Sequence, residues 1–343
     1  MAFIDRLLRD HYDELRLFRY GVGRTWDTVL VTPRFVTSRH VVGLVFAIGA
    51  REPSLVVKIP RQPGDNYSVR HEASVIGQLN ALGIGREQGV PEVIKAFDVG
   101  DHTVLLETAV IGSPLDPQRV VADLASAVHA GTEFVAALPC TAAAAVNVGW
   151  YERTVGRSLS GLASLLPQDS AMTGLVERTH ELLEPMRSVP LPAVVEHGDL
   201  SHPNLIVRPN GRLQAVDWER SRTDGLPGHD LVFYLQYLSE SSERAFERAD
   251  QMAAFDKAFG PEGWAREPVR RHLQRRGVDP ALLPLLVLAT WARSAATLAF
   301  RLEGQTATEQ GMAETRAAVL ADRDYWLWRH AVETMSPRQG FPR

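Results

Sequence analysis

The residues best suited to chemistry stand together in one stretch. It runs His197-Gly-Asp199-Leu-Ser-His202-Pro-Asn204 and continues as Leu-Ile-Val. It then turns at Pro209-Asn-Gly211 and resumes as Leu213-Gln-Ala-Val-Asp217-Trp-Glu219. As a pattern this is a polar loop, a short apolar strand, a turn, and a second apolar strand that Asp217 closes. A hairpin of that kind brings Asn204 and Asp217 to one rim, with Asp199 on the loop just before them. Two carboxylates and an amide oxygen then converge, a hard-oxygen set suited to Mg2+. The plain alternative is a loop in which Asp and Asn only cap turns.

The elements that must position these residues follow from periodicity. Residues 3–19 predict a helix with one broad apolar face that includes Phe3, Ile4, Leu7, Leu8, Tyr12 and Phe18. Strand-like runs follow at Thr28–Val31, Val41–Ile48 and Ser54–Ile59, then a helix over Tyr67–Leu82, then strands at Val93–Val99 and Thr103–Thr108. From Asp116 the chain turns to long helices rich in Ala and Leu, interrupted by the loop-rich segment Val194–Asp217. Gly112, Pro114 and Pro117 break the last strand, which sets the boundary. The division is residues 1–110, a small lobe of strands with one main helix, and 111–335, a helical lobe carrying the loop 194–219 and the helices expected to bind substrate. Residues 336–343 are expected to be a frayed tail.

Composition removes several classes of function. The 343 residues are 45% apolar and 23% charged, ordinary for a folded chain of two lobes. A net charge of −4 gives no global field for nucleic acid. Cys140 is the only cysteine, so no internal disulfide and no cysteine zinc cluster can form, and the reducing cytoplasm is the expected compartment. The charged N-terminus lacks an apolar signal region. The longest apolar run, Ala281–Ala292, is too short to span a bilayer and predicts a buried helix, so no membrane role is expected. Only Lys58, Lys95 and Lys257 are lysines, against 34 arginines. A lysine kept in an apolar strand is therefore informative here.

With His-Gly before it and a second Asp thirteen residues after the Asn, the run H-G-D-x-x-x-x-N resembles the catalytic loop and metal motif of the aminoglycoside phosphotransferases. These are relatives of protein kinases, whose H-R-D-x-x-x-x-N and D-F-G motifs use the same logic. The resemblance implies an α+β, bilobal, protein-kinase-like fold. It also implies Mg2+ as cofactor, ATP (or GTP) as phosphate donor, and a hydroxyl acceptor. By the same resemblance Asp199 accepts or orients the acceptor hydroxyl, and Asn204 and Asp217 hold Mg2+ against the nucleotide phosphates. His197 is expected to brace the loop rather than act as a base, and His202 to be a surface loop histidine rather than a ligand. Asp230 resembles the family's buried Asp that receives loop amides, although an N-cap for the helix Leu231–Leu238 explains it equally well.

Upstream, Leu55-Val-Val-Lys58-Ile resembles the V-A-I-K strand of kinases, and Glu72 on the following helix is its expected partner. The pair would hold the ammonium toward the α- and β-phosphates; the bland alternative is a snorkelling lysine and an exposed glutamate. Val104–Thr108 sits where the family has its hinge, so backbone groups from Glu107 to Ala109 are expected at the adenine edge. No G-x-G-x-x-G precedes Lys58; the phosphate loop falls on Phe35–Gly43, with Ser38 as the contact, while Gly21-Val-Gly23 ends the first helix.

The sequence departs from protein kinases at Asp217-Trp-Glu219, where Trp replaces Phe and the Gly is lost. Glu219 is expected to assist the metal or to pair with Arg220 or Arg222. No activation segment separates Glu219 from Asp230, which disfavours a regulated protein kinase. For the acceptor, Glu240, Glu243, Glu247 and Asp250 fall on one expected helix, with Arg266, Arg270, Arg271, Arg275 and Arg276 behind it and Arg293 and Arg301 further on. Such runs are usually solvated faces. The arginines point to a neutral or anionic small molecule rather than an aminoglycoside. The competing classes are a Ser/Thr kinase acting on a peptide and a non-catalytic nucleotide-binding pseudokinase. The presence of Lys58, Glu72, Asp199, Asn204 and Asp217 ranks the pseudokinase last.

Overall fold

The structure, a computed structural model, describes residues 3–31, 40–165, 169–301 and 309–334. Ser38 and the tail 336–343 lie outside the described residues. The early strands are β1 (Trp26–Val31), β2 (His40–Ala47), β3 (Leu55–Pro60), β4 (Val93–Val99) and β5 (His102–Thr108). The later, shorter ones are β6 (Ser113–Pro114), β7 (Cys140–Ala142), β8 (Ala193–Glu196), β9 (Leu205–Val207), β10 (Leu213–Ala215) and β11 (Arg222–Gly225). The first helices are α1 (Phe3–Asp10), α2 (Tyr67–Ala81), α3 (Pro117–Ala122), α4 (Leu124–Ala137), α5 (Arg157–Leu165) and α6 (Ser170–Leu183). They are followed by α7 (His229–Glu243), α8 (Arg248–Phe259), α9 (Arg266–Arg275), α10 (Leu283–Arg301), α11 (Glu309–Ala321) and α12 (Arg323–Thr334). Contacts divide the chain into two compact units, Met1–Leu115 with His202–Ser221, and Asp116–Ser201 with Arg222–Arg343.

In the first unit an antiparallel sheet runs in the order β1-β2-β3-β5-β4. Strand alternation sends Leu55, Val57, Val104 and Leu106 to one face, where they form a core with Ile4, Leu8 and Leu17. Gly43 permits that packing, because a Cβ there would lie 2.4 Å from the Ile4 side chain. Lys58 and Glu107 take the opposite face. Sequence periodicity predicts one helix over residues 3–19, but α1 ends at Asp10 and Arg16 turns left-handed at φ 51°. The chain is held there instead by Tyr12, whose hydroxyl donates to the Val22 carbonyl at 2.9 Å. Phe3 and Phe18, expected on the apolar face, are exposed.

The sequence places one cut near residue 110, whereas the first unit also takes His202–Ser221. The reason is pairing: β6 joins β9, β9 joins β10, and the Ala215 N–H donates to the Gly89 carbonyl at 3.0 Å. In the second unit β11-β8-β7 form a small sheet, and α7 is buried from His229 to Ser241. The helical window Pro280–Leu298 is apolar and long enough to cross a membrane by composition alone, but 72% of it is buried in the fold, as expected of a core helix.

Candidate active site

In the first unit α2 supplies one side of an ion-pair cluster. Its buried residues include Val69, Glu72, Val75, Ile76 and Leu79, so Glu72 interrupts an apolar stripe. A charge placed there needs a partner. Lys58 provides it, with Nζ 2.5 Å from Glu72 Oε1. The same Glu72 oxygen accepts the Trp218 N–H at 2.8 Å, which ties α2 to the residue after Asp217. A second carboxylate also reaches the ammonium, with Glu107 Oε1 at 3.3 Å. Register explains this contact: Lys58 faces Leu105 and Val56 faces Glu107, so Lys58 and Glu107 are diagonal neighbours on one sheet face. Burial opposes the charge on Lys58, but Glu107, Glu72 and Asp217 outweigh it and hold its pKa well above normal. Burial pushes the Glu107 carboxyl up to about 7, Lys58 pulling it down while Glu72 pushes it up.

Sequence reasoning assigned Glu107 and Ala109 only through their backbone. Two N–H groups at this hinge are already committed: Thr108 to the Glu92 carbonyl at 2.9 Å and Ala109 to the Ser54 carbonyl at 3.0 Å. Glu107 also contributes its side chain.

Asn204 and Asp217 meet at the open end of the β9–β10 hairpin. The Val216 N–H donates to the Asn204 carbonyl at 2.9 Å, and Arg208 and Arg212 close the far turn. Asp217 sits at φ 67°, ψ 67°, a left-handed conformation uncommon for a residue with a side chain. Strain at such a position is typical of functional sites. Trp218 is fully buried, so Trp fills the packing role of the Phe in D-F-G. Glu219 pairs with His40, Oε2 to Nδ1 at 3.4 Å, and Arg222 is engaged by Asp224 at 2.9 Å, so Arg222 is not the partner expected from sequence. Among the described residues no three His, Cys, Asp or Glu side chains form a metal cage. One amide and one carboxylate beside each other fit Mg2+, which keeps waters and phosphate oxygens as its other ligands.

In the second unit the loop is held from below. Asp230 accepts two N–H bonds, from His197 at 2.7 Å and Gly198 at 2.9 Å. Gly228, not Asp230, occupies the N-cap of α7, so the loop-bracing role stands over the capping one. Burial and then Glu196 push the Asp230 carboxyl up to about 7, against those two donors. The His197 ring is buried, and its Nδ1 receives the Asp199 N–H at 3.3 Å. Asp199 itself is half-buried, and its Oδ1 accepts from Ser201 Oγ at 3.3 Å.

A further support is absent from the sequence reading. Glu196, immediately before His197, is gripped by Arg293 through two bonds of 2.7 and 2.9 Å. Its Oε2 also takes the Leu226 N–H at 2.5 Å. Gly225 makes room, because a Cβ there would lie 2.4–2.6 Å from the Glu196 side chain. Although burial opposes it, Arg293 and His229 hold the Glu196 carboxyl down at about 2. Burial lowers His229 to about 4, Arg293 adding to the effect while Glu196 opposes it. The signal was an Arg at the end of a twelve-residue apolar run.

The residues considered for substrate charge are largely engaged. Glu240 to Asp250 do not share a helix, because Arg244 turns left-handed at φ 53° and ends α7. Glu240 pairs with Arg323 at 3.2 Å, and Glu243 pairs with Lys257. Arg276 donates to the carbonyls of Val135, Ala136 and Leu138 at the end of α4, and Arg275 pairs with Glu133 at 3.2 Å. Arg275 and Arg276 therefore brace the fold, while Arg270 and Arg271 stay on the exposed face of α9.

The family model of the phosphotransferase enzyme family matches residues 43–272. No curated protein sequence matches the chain. Among solved structures, an ethanolamine kinase of Plasmodium vivax is similar over 98% of this chain and 88% of its own, at 10% identity and a TM-score of 0.56. A thermostable mutant of an aminoglycoside phosphotransferase, in a ternary complex with ADP and hygromycin B, covers 97% of this chain and 100% of its own at 12% identity and a TM-score of 0.53. The choline kinase LicA from Streptococcus pneumoniae covers 95% of this chain and 99% of its own at 11% identity and a TM-score of 0.51. The likeness to these structures shows a kinase-like α+β fold. Since the family model spans more than half of the chain, the protein belongs to the phosphotransferase enzyme family and is a kinase that transfers phosphate from a nucleotide to a hydroxyl.

Proposed function

We propose that this chain is a Mg2+-dependent kinase that moves the γ-phosphoryl group of ATP (or GTP) to a hydroxyl of a neutral or anionic small molecule. The observation that supports it most is the Glu72 carboxylate, whose one oxygen binds both Lys58 Nζ and the Trp218 N–H. That bond network joins the residue suited to nucleotide phosphates to the backbone beside Asp217. Lys58 acts as a point charge for the α- and β-phosphates. Asn204 and Asp217 hold the magnesium ion, which when bound neutralises charge on the phosphate oxygens.

Asp199 orients the acceptor hydroxyl and takes its proton as the oxygen–phosphorus bond forms and the bond to the leaving nucleotide breaks. The two N–H bonds to Asp230 and the buried His197 ring keep the backbone that carries Asp199 in place. A polycationic acceptor calls for available carboxylates, and of the four considered Glu240 and Glu243 are already neutralised by Arg323 and Lys257, which leaves Glu247 and Asp250. That favours a neutral or anionic acceptor.

The test is phosphate transfer from γ-labelled nucleotide to panels of neutral, anionic and cationic alcohols, with and without Mg2+. Label on a neutral or anionic alcohol, only with Mg2+, is the expected result. Transfer confined to aminoglycosides or amino alcohols would overturn the acceptor reading.

A further inference from the structure

Glu107 is a costly residue for its position. It lies on β5 among Leu105, Leu106 and Thr108, all buried, and is itself 2% exposed. A carboxylate buried in a strand gives up hydration that an apolar residue does not need. Among the described residues its carboxylate has one polar contact, the 3.3 Å approach of Oε1 to Lys58 Nζ, and Oε2 is buried with no hydrogen-bond partner. Glu72 likewise leaves Oε2 without a partner, but its other oxygen holds both Lys58 and the Trp218 N–H. Fold stability therefore gives no account of Glu107, and Lys58 already has one strong partner.

Three carboxylates act on this one ammonium: Glu107 from β5, Glu72 from α2 and Asp217 from the end of the β9–β10 hairpin. A polyanionic nucleotide drawn to Lys58 has to compete with them. Glu72 and Asp217 have structural reasons to be there, the Trp218 bond and the hairpin rim. Glu107 has none, and its charge is the one that can be removed without breaking another bond.

We propose that Glu107 is a second positioning carboxylate for Lys58, holding the ammonium from the sheet side and lowering nucleotide affinity in exchange for its orientation. This rests on the reading that Lys58 meets the nucleotide phosphates. A site of this design lets product nucleotide leave, because the ammonium returns to a waiting partner when the phosphates depart.

The test compares wild type with Glu107→Gln, Glu107→Asp and Lys58→Met in steady-state kinetics at pH 8, with direct binding of ADP and thermal melting alongside. Glu107→Gln keeps an acceptor for Lys58 and removes the charge. Its KM for nucleotide and its Kd for ADP are expected to fall by roughly tenfold, the order of one nearby charge in a poorly screened site. Its kcat falls and its melting temperature stays level or rises. Glu107→Asp, which keeps the charge, stays closer to wild type in KM than Glu107→Gln does. Unchanged or raised KM and Kd in Glu107→Gln would overturn the proposal. So would a melting temperature that drops with kinetics intact, since that is the mark of a structural residue. Lys58→Met separates the premises: if it leaves ADP affinity untouched, the phosphate reading of Lys58 fails first, and with it the ground for Glu107.

Discussion

Replacing Arg293 with Met strips Glu196 of its partner without removing much volume. Arg293 and Glu196 are 5% and 1% exposed, so water does not compensate the carboxylate that is left. Breaking such a pair from one side costs about 3–5 kcal/mol, because a buried charge stays unpaired. The double variant Arg293→Met with Glu196→Gln has a different fate. Gln still accepts the Leu226 N–H now bonded at 2.5 Å and carries no charge, so stability should return to within about 1–2 kcal/mol of wild type. Urea unfolding followed by circular dichroism measures both. Hydrogen exchange at the His197 and Gly198 amides adds a local readout, since those N–H groups bond Asp230 just beyond Glu196. The single variant should speed their exchange more than the double. A single variant no less stable than the double would refute the reasoning that an unpaired carboxylate, rather than lost packing, sets the cost.

The same pair makes an acid limb. Glu196 is held at about 2 against an ordinary 4.5, so its contribution is complete above pH 4.5 and is lost as pH falls toward 2. The loss is on the order of 3 kcal/mol, and a stability profile of the double variant should lack it. Lys58→Arg should lower kcat/KM by roughly tenfold or more, because a planar guanidinium cannot replace a compact ammonium between Glu72 and Glu107; near-normal kcat/KM would remove Lys58 from the phosphate site. Asp217→Ala should weaken Mg-nucleotide binding more than Asn204→Ala, since a carboxylate brings a full charge and an amide only a dipole. Calorimetry with and without Mg2+ decides it, and a metal dependence unchanged from wild type in both variants would remove the metal assignment.

The strands of the first unit, the main helix after Lys58 and the β9–β10 hairpin were all legible, because each rests on local periodicity and turn residues. So was the pairing of Lys58 with Glu72, which the resemblance to the V-A-I-K strand of kinases implied. What escaped depends on register or on distant segments. Glu107 joins Lys58 only because Val56 rather than Lys58 lies opposite it, and strand register is not printed in either strand alone. Arg293 and Glu196 lie 97 residues apart, and only the oddity of a charge ending an apolar run hinted at the link. His40 as a partner of Glu219 is equally non-local. The helix ends went wrong where backbone overrules pattern: Arg16 and Arg244 both adopt left-handed conformations that a side-chain period cannot reveal. The arginine cluster was only partly legible for a related reason. Charge is visible in sequence, but the carbonyls at the end of α4 that consume Arg276 are not.

Asp199→Asn gives the most direct measurement of the central claim. The substitution keeps the shape of the side chain and its contact with Ser201 while removing the proposed base for the acceptor's proton. Turnover of an identified acceptor should fall by at least about a hundredfold. Nucleotide binding, which the proposal assigns to Lys58, Asn204 and Asp217, should remain nearly intact. Wild-type-like turnover in Asp199→Asn would contradict the assignment of this loop as the catalytic centre of the kinase.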